Sequence, residues 1–177
     1  MFEYDIKRFN RRCAKTDREF KPGDVYYSAL VEQGDAFVRV DISAAAWEGP
    51  PEGAIGWWRC QMAPLNPHRV YWAPSNVLVD YFAKLAQSAA HPELCYLMSL
   101  VLLRKKLLQM VENRMRDDGA ATMLVHAPRL KQDFSIPICE PPLERLRQLE
   151  TELCEQLFTD QPLDLIDAES AKEVETH

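Results

Sequence analysis

His91 to Gly119 reads HPELCYLMSLVLLRKKLLQMVENRMRDDG, and the folding of this stretch decides how the rest of the chain is arranged. Pro92 suits a first helical position, where its missing N–H is not needed, and Glu93 suits the positive end of the helix dipole. Asp117-Asp118-Gly119 marks the far end, with a glycine able to take the left-handed conformation that stops a helix. The pattern predicts one long central helix over 92–116. Projected at ~100° per residue, Leu94, Met98 and Leu102 lie opposite Tyr96, Leu100 and Leu103, so the first half is apolar on every side. In the second half Leu103, Leu107, Leu108, Met110, Val111 and Met115 share one arc, with Lys105, Lys106, Gln109, Glu112 and Asn113 on the other. Arg104 projects into the apolar arc, where it needs a carboxylate or carbonyl partner and is a candidate anion-binding residue. Lys105-Lys106 reads as a solvated face.

Working outward, Ser75 to Gln87 carries a helical stripe of Val77, Leu78, Tyr81, Phe82 and Leu85. A proline-bracketed linker, PLNPHRVYWAP, precedes it. After the central helix, Ala121–His126 and Phe134–Ile138 read as two strands of a small hairpin, Pro137 placing the second at an edge or a bulge. Pro141-Pro142 introduces a last helix, Leu143 to Phe158, with Leu146, Leu149, Leu153 and Leu157 on one seam. From Asp160 to the C-terminus the chain has no aromatics and no periodicity, which predicts a flexible acidic tail.

The N-terminal third has a different rhythm. Pro22-Gly23-Asp24 leads into Val25–Glu32, and Gln33-Gly34-Asp35 connects to Ala36–Ile42, where Val38, Val40 and Ile42 alternate with Arg39 and Asp41. That is a β-hairpin signal. Ser43–Glu48 fits one helical turn, and Ala54–Met62 reads as a third strand. Successive strand residues face opposite ways, so Trp57 and Trp58 cannot both enter one core. With Trp47 and Trp72 they make four tryptophans in a short span, which either fill a β-core or line a binding surface.

Arg12-Cys13-x-x-Thr16-x-Arg18-x-Phe20-x-Pro22-Gly23-Asp24 resembles the knuckle and first hairpin of a zinc-ribbon module, with Thr16 where such a module has its second cysteine. The segment also resembles the opening of a family of small bacterial proteins of unknown function, similar over much of the chain. A structural zinc needs four ligands from paired tight turns, and no C-x-x-C occurs. Cys13, Cys60, His68 and His91 are the one imaginable ligand set. The expectation is no metal and no cofactor, with Cys13 buried in a metal-free turn.

Composition narrows the class. Hydrophobic and charged contents of 47% and 27% suit a folded soluble protein with a substantial core. No apolar run reaches the ~20 residues that span a bilayer, and acidic residues stand where a signal peptide has its apolar stretch, so a cytoplasmic protein without membrane contact is expected. Five scattered cysteines suggest reduced thiols. Net charge is −6 and uneven: Asp160 to His177 has six acids and one base, whereas Lys7 to Lys21 has seven bases and two acids. A basic head and an acidic tail flank a nearly neutral body.

Chemistry is sparse. There is no G-x-S-x-G, no H-E-x-x-H and no phosphate-cradling glycine loop. Cys139 and His126 could form an activated thiol if their strands pair, but no third residue orients them, so no catalytic residue is assigned. The sequence therefore predicts an α+β protein: a β-rich unit over 1–72 packed on a helical part with a hairpin over 73–159, then a tail over 160–177. The first functional expectation is a non-catalytic cytoplasmic interaction module that binds another protein. The alternatives are nucleic-acid association through Arg11, Arg12 and an exposed Trp57 or Trp58, and a small enzyme or ligand-binding protein with a pocket between the two parts. Candidate binding residues are Trp57, Trp58, Arg11, Arg12 and Arg104.

Overall fold

The computed structural model describes residues 11–62, 71–159 and 161–162. Among these residues three helices and three antiparallel sheets make an α+β architecture. The chain forms two compact units, one from the described residues of Met1–Pro74 and Glu152–His177, the other from Ser75–Thr151.

In the first unit, β1 (Val25–Gln33) and β2 (Ala36–Ser43) form the expected hairpin. Their register pairs Gln33 with Ala36, leaving Gly34-Asp35 as a two-residue turn in which Gly34 takes φ +62°. A positive φ at the first turn position matches the twist of the strands and favours glycine. A 3-10 turn at Ala44–Ala46 follows, then β3 (Ala54–Gln61), which pairs with the other side of β1. The two-residue strands β4 (Tyr71–Trp72) and β8 (Phe158–Thr159) pair with each other. β9 (Gln161–Pro162) adds to β3, giving the sheet order β2-β1-β3-β9. Proline is tolerated there because β9 is an edge strand. Thus the loose tail anticipated from Asp160 fails at its first residues, Gln161 and Pro162; residues 163–177 lie outside the described residues. So do Lys7, Arg8, His68 and most of the expected linker, whose Tyr71-Trp72 is strand instead.

The second unit contains α1 (Ser75–Ser88), α2 (Pro92–Arg104), the sheet β5 (Gln109–Met115), β6 (Ala121–Ala127) and β7 (Gln132–Pro137), and the start of α3 (Leu143–Leu157). α1 buries its whole predicted stripe. Both α1 and α2 pack on β7, where Phe82 meets Phe134 edge-on at 5.2 Å. Glu93 and Arg145 (2.9 Å) tie α2 to α3.

The central helix is the main correction. It stops at Arg104, and the residues read as its amphipathic second half form β5 instead. The stop is a Schellman motif: the Lys106 N–H donates to the Leu103 carbonyl (3.0 Å) and the Leu107 N–H to the Leu102 carbonyl (2.9 Å). Lys106 itself sits at φ +60°, the position glycine usually fills. Asp117-Asp118-Gly119 then ends no helix but turns β5 into β6, with Gly119 at φ +82° and the Arg116 N–H bonded to the Ala120 carbonyl. Pairing with β6 outweighs the local helical pattern, as tertiary context commonly does for short apolar periodicities. The surviving helix is not apolar on every side in use: Leu94, Cys95, Met98, Ser99 and Leu102 are buried on one face, and Leu100 is exposed. The small hairpin is a three-stranded sheet.

Candidate interaction surface

Register fixes the two faces of the first sheet. Tyr26, Ser28 and Leu30 share a face with Asp41, Arg39, Trp58 and Cys60; Tyr27, Ala29 and Val31 share the other with Ile42, Val40, Val38, Trp57 and Arg59. Simple alternation along β2 would send the valines inward. Instead the Arg39 and Asp41 side chains are 5% and 7% exposed and Val38 is 38% exposed, although Ile42 on the valine side is buried.

The Arg39 face sets a polar cluster among the buried Tyr26, Leu30, Trp58 and Cys60. Arg39 Nε donates to Asp41 Oδ1 (3.0 Å), Nη2 to Ser28 Oγ (3.0 Å) and Nη1 to the Phe158 carbonyl. Ser28 Oγ donates onward to Asp41 Oδ1 (2.5 Å). The guanidinium lies over the Trp58 ring at 5.5 Å, and Trp58 Nε1 donates to Thr159 Oγ1 (3.1 Å). Burial pushes the Arg39 pKa down, yet Asp41, joined by Tyr26 and Cys60, outweighs it and holds the guanidinium charged. These bonds fasten Phe158 and Thr159 to the sheet. They explain a structure rather than a binding site.

The other face is different. The 3-10 turn brings Trp47 onto Tyr27, ring centroids 4.4 Å apart and 7° from parallel. Trp57 leans on both, 5.9 Å from Tyr27 and 5.6 Å from Trp47, and keeps 45% of its surface exposed. Arg59 is exposed on β3 at the register position opposite Tyr27. Beside Trp47, Glu48 accepts from Lys15 Nζ (2.6 Å), which holds its carboxyl below the ordinary range. The surface is thus an aromatic cluster with a cation at its border.

The knuckle next to it has ribbon-like turns without a ribbon's ligands. The Cys13 N–H bonds the Arg18 carbonyl and the Asp17 N–H the Cys13 carbonyl, while Cys13 Sγ accepts from the Ser43 N–H at 3.3 Å. Burial pushes the Cys13 thiol up, but hydrogen bonds from Thr16 and Ser43 outweigh it and bring its pKa to about 6. Thr16 thus serves the Cys13 sulfur as a hydrogen-bond partner, where a ribbon's second cysteine would share a metal. Among the described residues no group of three or more His, Cys, Asp or Glu could hold a metal ion.

Three of the five described cations of the basic head, Arg12, Lys15 and Arg18, pair with carboxylates of the chain. Arg12 pairs with Asp17 (3.4 Å) and Arg18 with Asp24 (2.7 Å), whose carboxyl is held low by the Lys21 N–H and by Arg18. Arg11 is half-buried, with its Nε buried and unbonded. Of the candidate residues, the fold gathers Trp57 with Tyr27 and Trp47, and removes Trp58 into the core. Arg104 belongs to the other unit and is exposed at the end of α2, so the expected burial of its charge does not occur, because the helix it was projected on ends there. Sequence reasoning missed Tyr27, whose role depends on which β1 face is covered, and Arg59, which adjacent aromatics obscure.

Cys139 and His126 do not meet. Ile138 bonds the Ala121 end of β6, whereas His126 pairs with Asp133 (2.5 Å) at the opposite end. Burial, and then Glu93, push the Cys139 thiol up. An open depression of about 660 Å³ lies over β5 to β7, lined by Arg114, Arg116, Asp118, Thr122 and Ser135. Its guanidiniums are paired, Arg114 with Glu112 and Arg116 with Asp118 (3.8 Å). No protein-family model, curated protein or solved structure matches this chain.

Proposed function

We propose that the protein is a non-catalytic cytoplasmic interaction module that binds another protein through the Tyr27–Trp47–Trp57 face. The observation that carries this is a half-exposed tryptophan already held against two aromatic rings. Aromatic side chains dominate binding energy at interfaces, and one restrained before binding loses little conformational freedom when a partner covers it. Arg59 at the border suits a carboxylate on that partner. The five cysteines are all free thiols, which fits a reducing compartment. Among the described residues no helix is long and apolar enough to cross a membrane.

Nucleic acid is the competing ligand class, because bases stack on exposed tryptophan beside cations. Arg12, Lys15 and Arg18 each have a carboxylate partner within the chain, which favours the protein partner. The test compares three chains as bait in native lysate: wild type, Trp57→Ala, and Leu143→Ala, a control at an exposed apolar residue. Proteins retained by wild type and the control should be absent with Trp57→Ala, all three chains giving the same circular dichroism. Identical retention by all three would refute the reading. Binding of single-stranded RNA at ~50 mM salt that disappears with Trp57→Ala would transfer it to nucleic acid.

A further inference from the structure

β5 is an edge strand, bonded to β6 on one side and, among the described residues, to no strand on the other. All of its residues are exposed, including Met110 at 49%, Val111 at 52% and Met115 at 76%. Natural sheets blunt such edges with lysine, proline or bulges. β5 has a bulge between Met110 and Glu112 and carries two charges, Glu112 and Arg114, but beyond the bulge Glu112–Met115 is regular and free of lysine and proline. A regular open edge flanked by exposed apolar side chains is suited to pairing with another strand.

We propose that the occupant is β5 of a second copy of this chain, paired antiparallel about a two-fold axis through Asn113. The argument is geometric. In an antiparallel pair, residues directly opposite each other are of the same kind, both hydrogen-bonded or both not, and the kinds alternate along the strand. Two identical strands can meet this condition only if the two-fold axis passes through a residue. An axis at Glu112 sets Glu112 against itself, and an axis at Arg114 sets Arg114 against itself; like charges directly opposite repel. An axis at Asn113 sets Glu112 against Arg114 of the second copy, and Arg114 against its Glu112. Met115 then comes against the Val111 end of the facing strand, apolar against apolar. Glu112 and Arg114 already touch within one strand, so the four charges close into a ring. The two three-stranded sheets become one of six strands.

Sedimentation equilibrium of the full chain tests this, from ~10 to ~500 μM at low salt, because a single short strand pair, Val111 to Met115 on each copy, makes a modest interface. Wild type is expected to dimerise with rising concentration. Arg114→Glu and Glu112→Arg each oppose like charges and should be monomeric throughout, with unchanged circular dichroism and melting. Mixing these two variants should restore a dimer, since one then supplies only anions and the other only cations. The charge-swapped double variant, Glu112→Arg with Arg114→Glu, should dimerise alone. A wild type that stays monomeric to ~500 μM overturns the proposal. So does a dimer that either single variant leaves intact.

Discussion

Asp41→Ala should destabilise the N-terminal unit more than any surface change, and the cost can be worked from Arg39. Its side chain is 5% exposed, and Asp41 is the carboxylate bonded to it, at 3.0 Å. Removing that carboxylate leaves the guanidinium buried without its charged partner, bonded to neutral groups such as the Ser28 hydroxyl and the Phe158 carbonyl. Breaking a buried ion pair from one side costs ~3–5 kcal/mol, a large part of a typical total of ~5–15 kcal/mol. At a urea slope of ~1–3 kcal/mol per molar, the midpoint should fall by ~1–5 M. Replacing both members, Arg39→Met with Asp41→Leu, removes the charge and the need to neutralise it, so the double variant should be more stable than Asp41→Ala. Urea unfolding followed by intrinsic fluorescence is the right assay, because Trp47, Trp57, Trp58 and Trp72 all belong to this unit. An Asp41→Ala midpoint within the error of wild type would refute the reasoning. So would a double variant as unstable as the sum of its singles.

Further expectations follow from the same geometry. Lys106→Gly should raise stability by ~1 kcal/mol, because a left-handed lysine carries strain that glycine does not; urea unfolding followed by far-ultraviolet circular dichroism checks it, and a loss would show the Schellman stop is misread. Leu102→Asp should unfold the second unit, since Leu102 is fully buried, and a cooperative melt near the wild-type temperature would count against that. Cys13 should titrate as a thiolate with a midpoint of about 6, read as 240 nm absorbance lost in Cys13→Ser. Since that value lies below the unfolded thiol's 9.0, the thiolate's contribution to stability is complete above pH 9 and is lost as pH falls through 6. Fluorescence-detected urea midpoints should therefore rise between those pH values in wild type and rise less in Cys13→Ser; equal slopes would contradict it.

Legibility in the sequence depended on whether local signals agreed with long-range pairing. The β1–β2 hairpin, β3 and α1 were readable because alternation, turn glycine and helical stripe each pointed to the structure that formed. The Pro92–Arg116 helix was misread because its stop is a lysine in a glycine's place, and because leucines at helical spacing suited either outcome until β6 supplied a partner. The alternation of Arg39 and Asp41 with Val38, Val40 and Ile42 did not by itself say which set would be covered. Charged residues usually face water, and the pair's burial depends on Phe158 and Thr159, more than a hundred residues away in the chain. Of the surface itself, that the Trp57-Trp58 pair must split across the sheet was visible from strand geometry. Which ring faces outward, and that Tyr27 lies beneath Trp47, required the register.

Photo-cross-linking tests the binding face most directly. A photoreactive phenylalanine replaces Val38, which lies on the same side of the sheet as Trp57 and is already exposed. Irradiated in native lysate, this chain should form defined adducts that an excess of unlabelled wild-type chain suppresses and an equal excess of Trp57→Ala chain does not. Equal suppression by both competitors would contradict the assignment of this face.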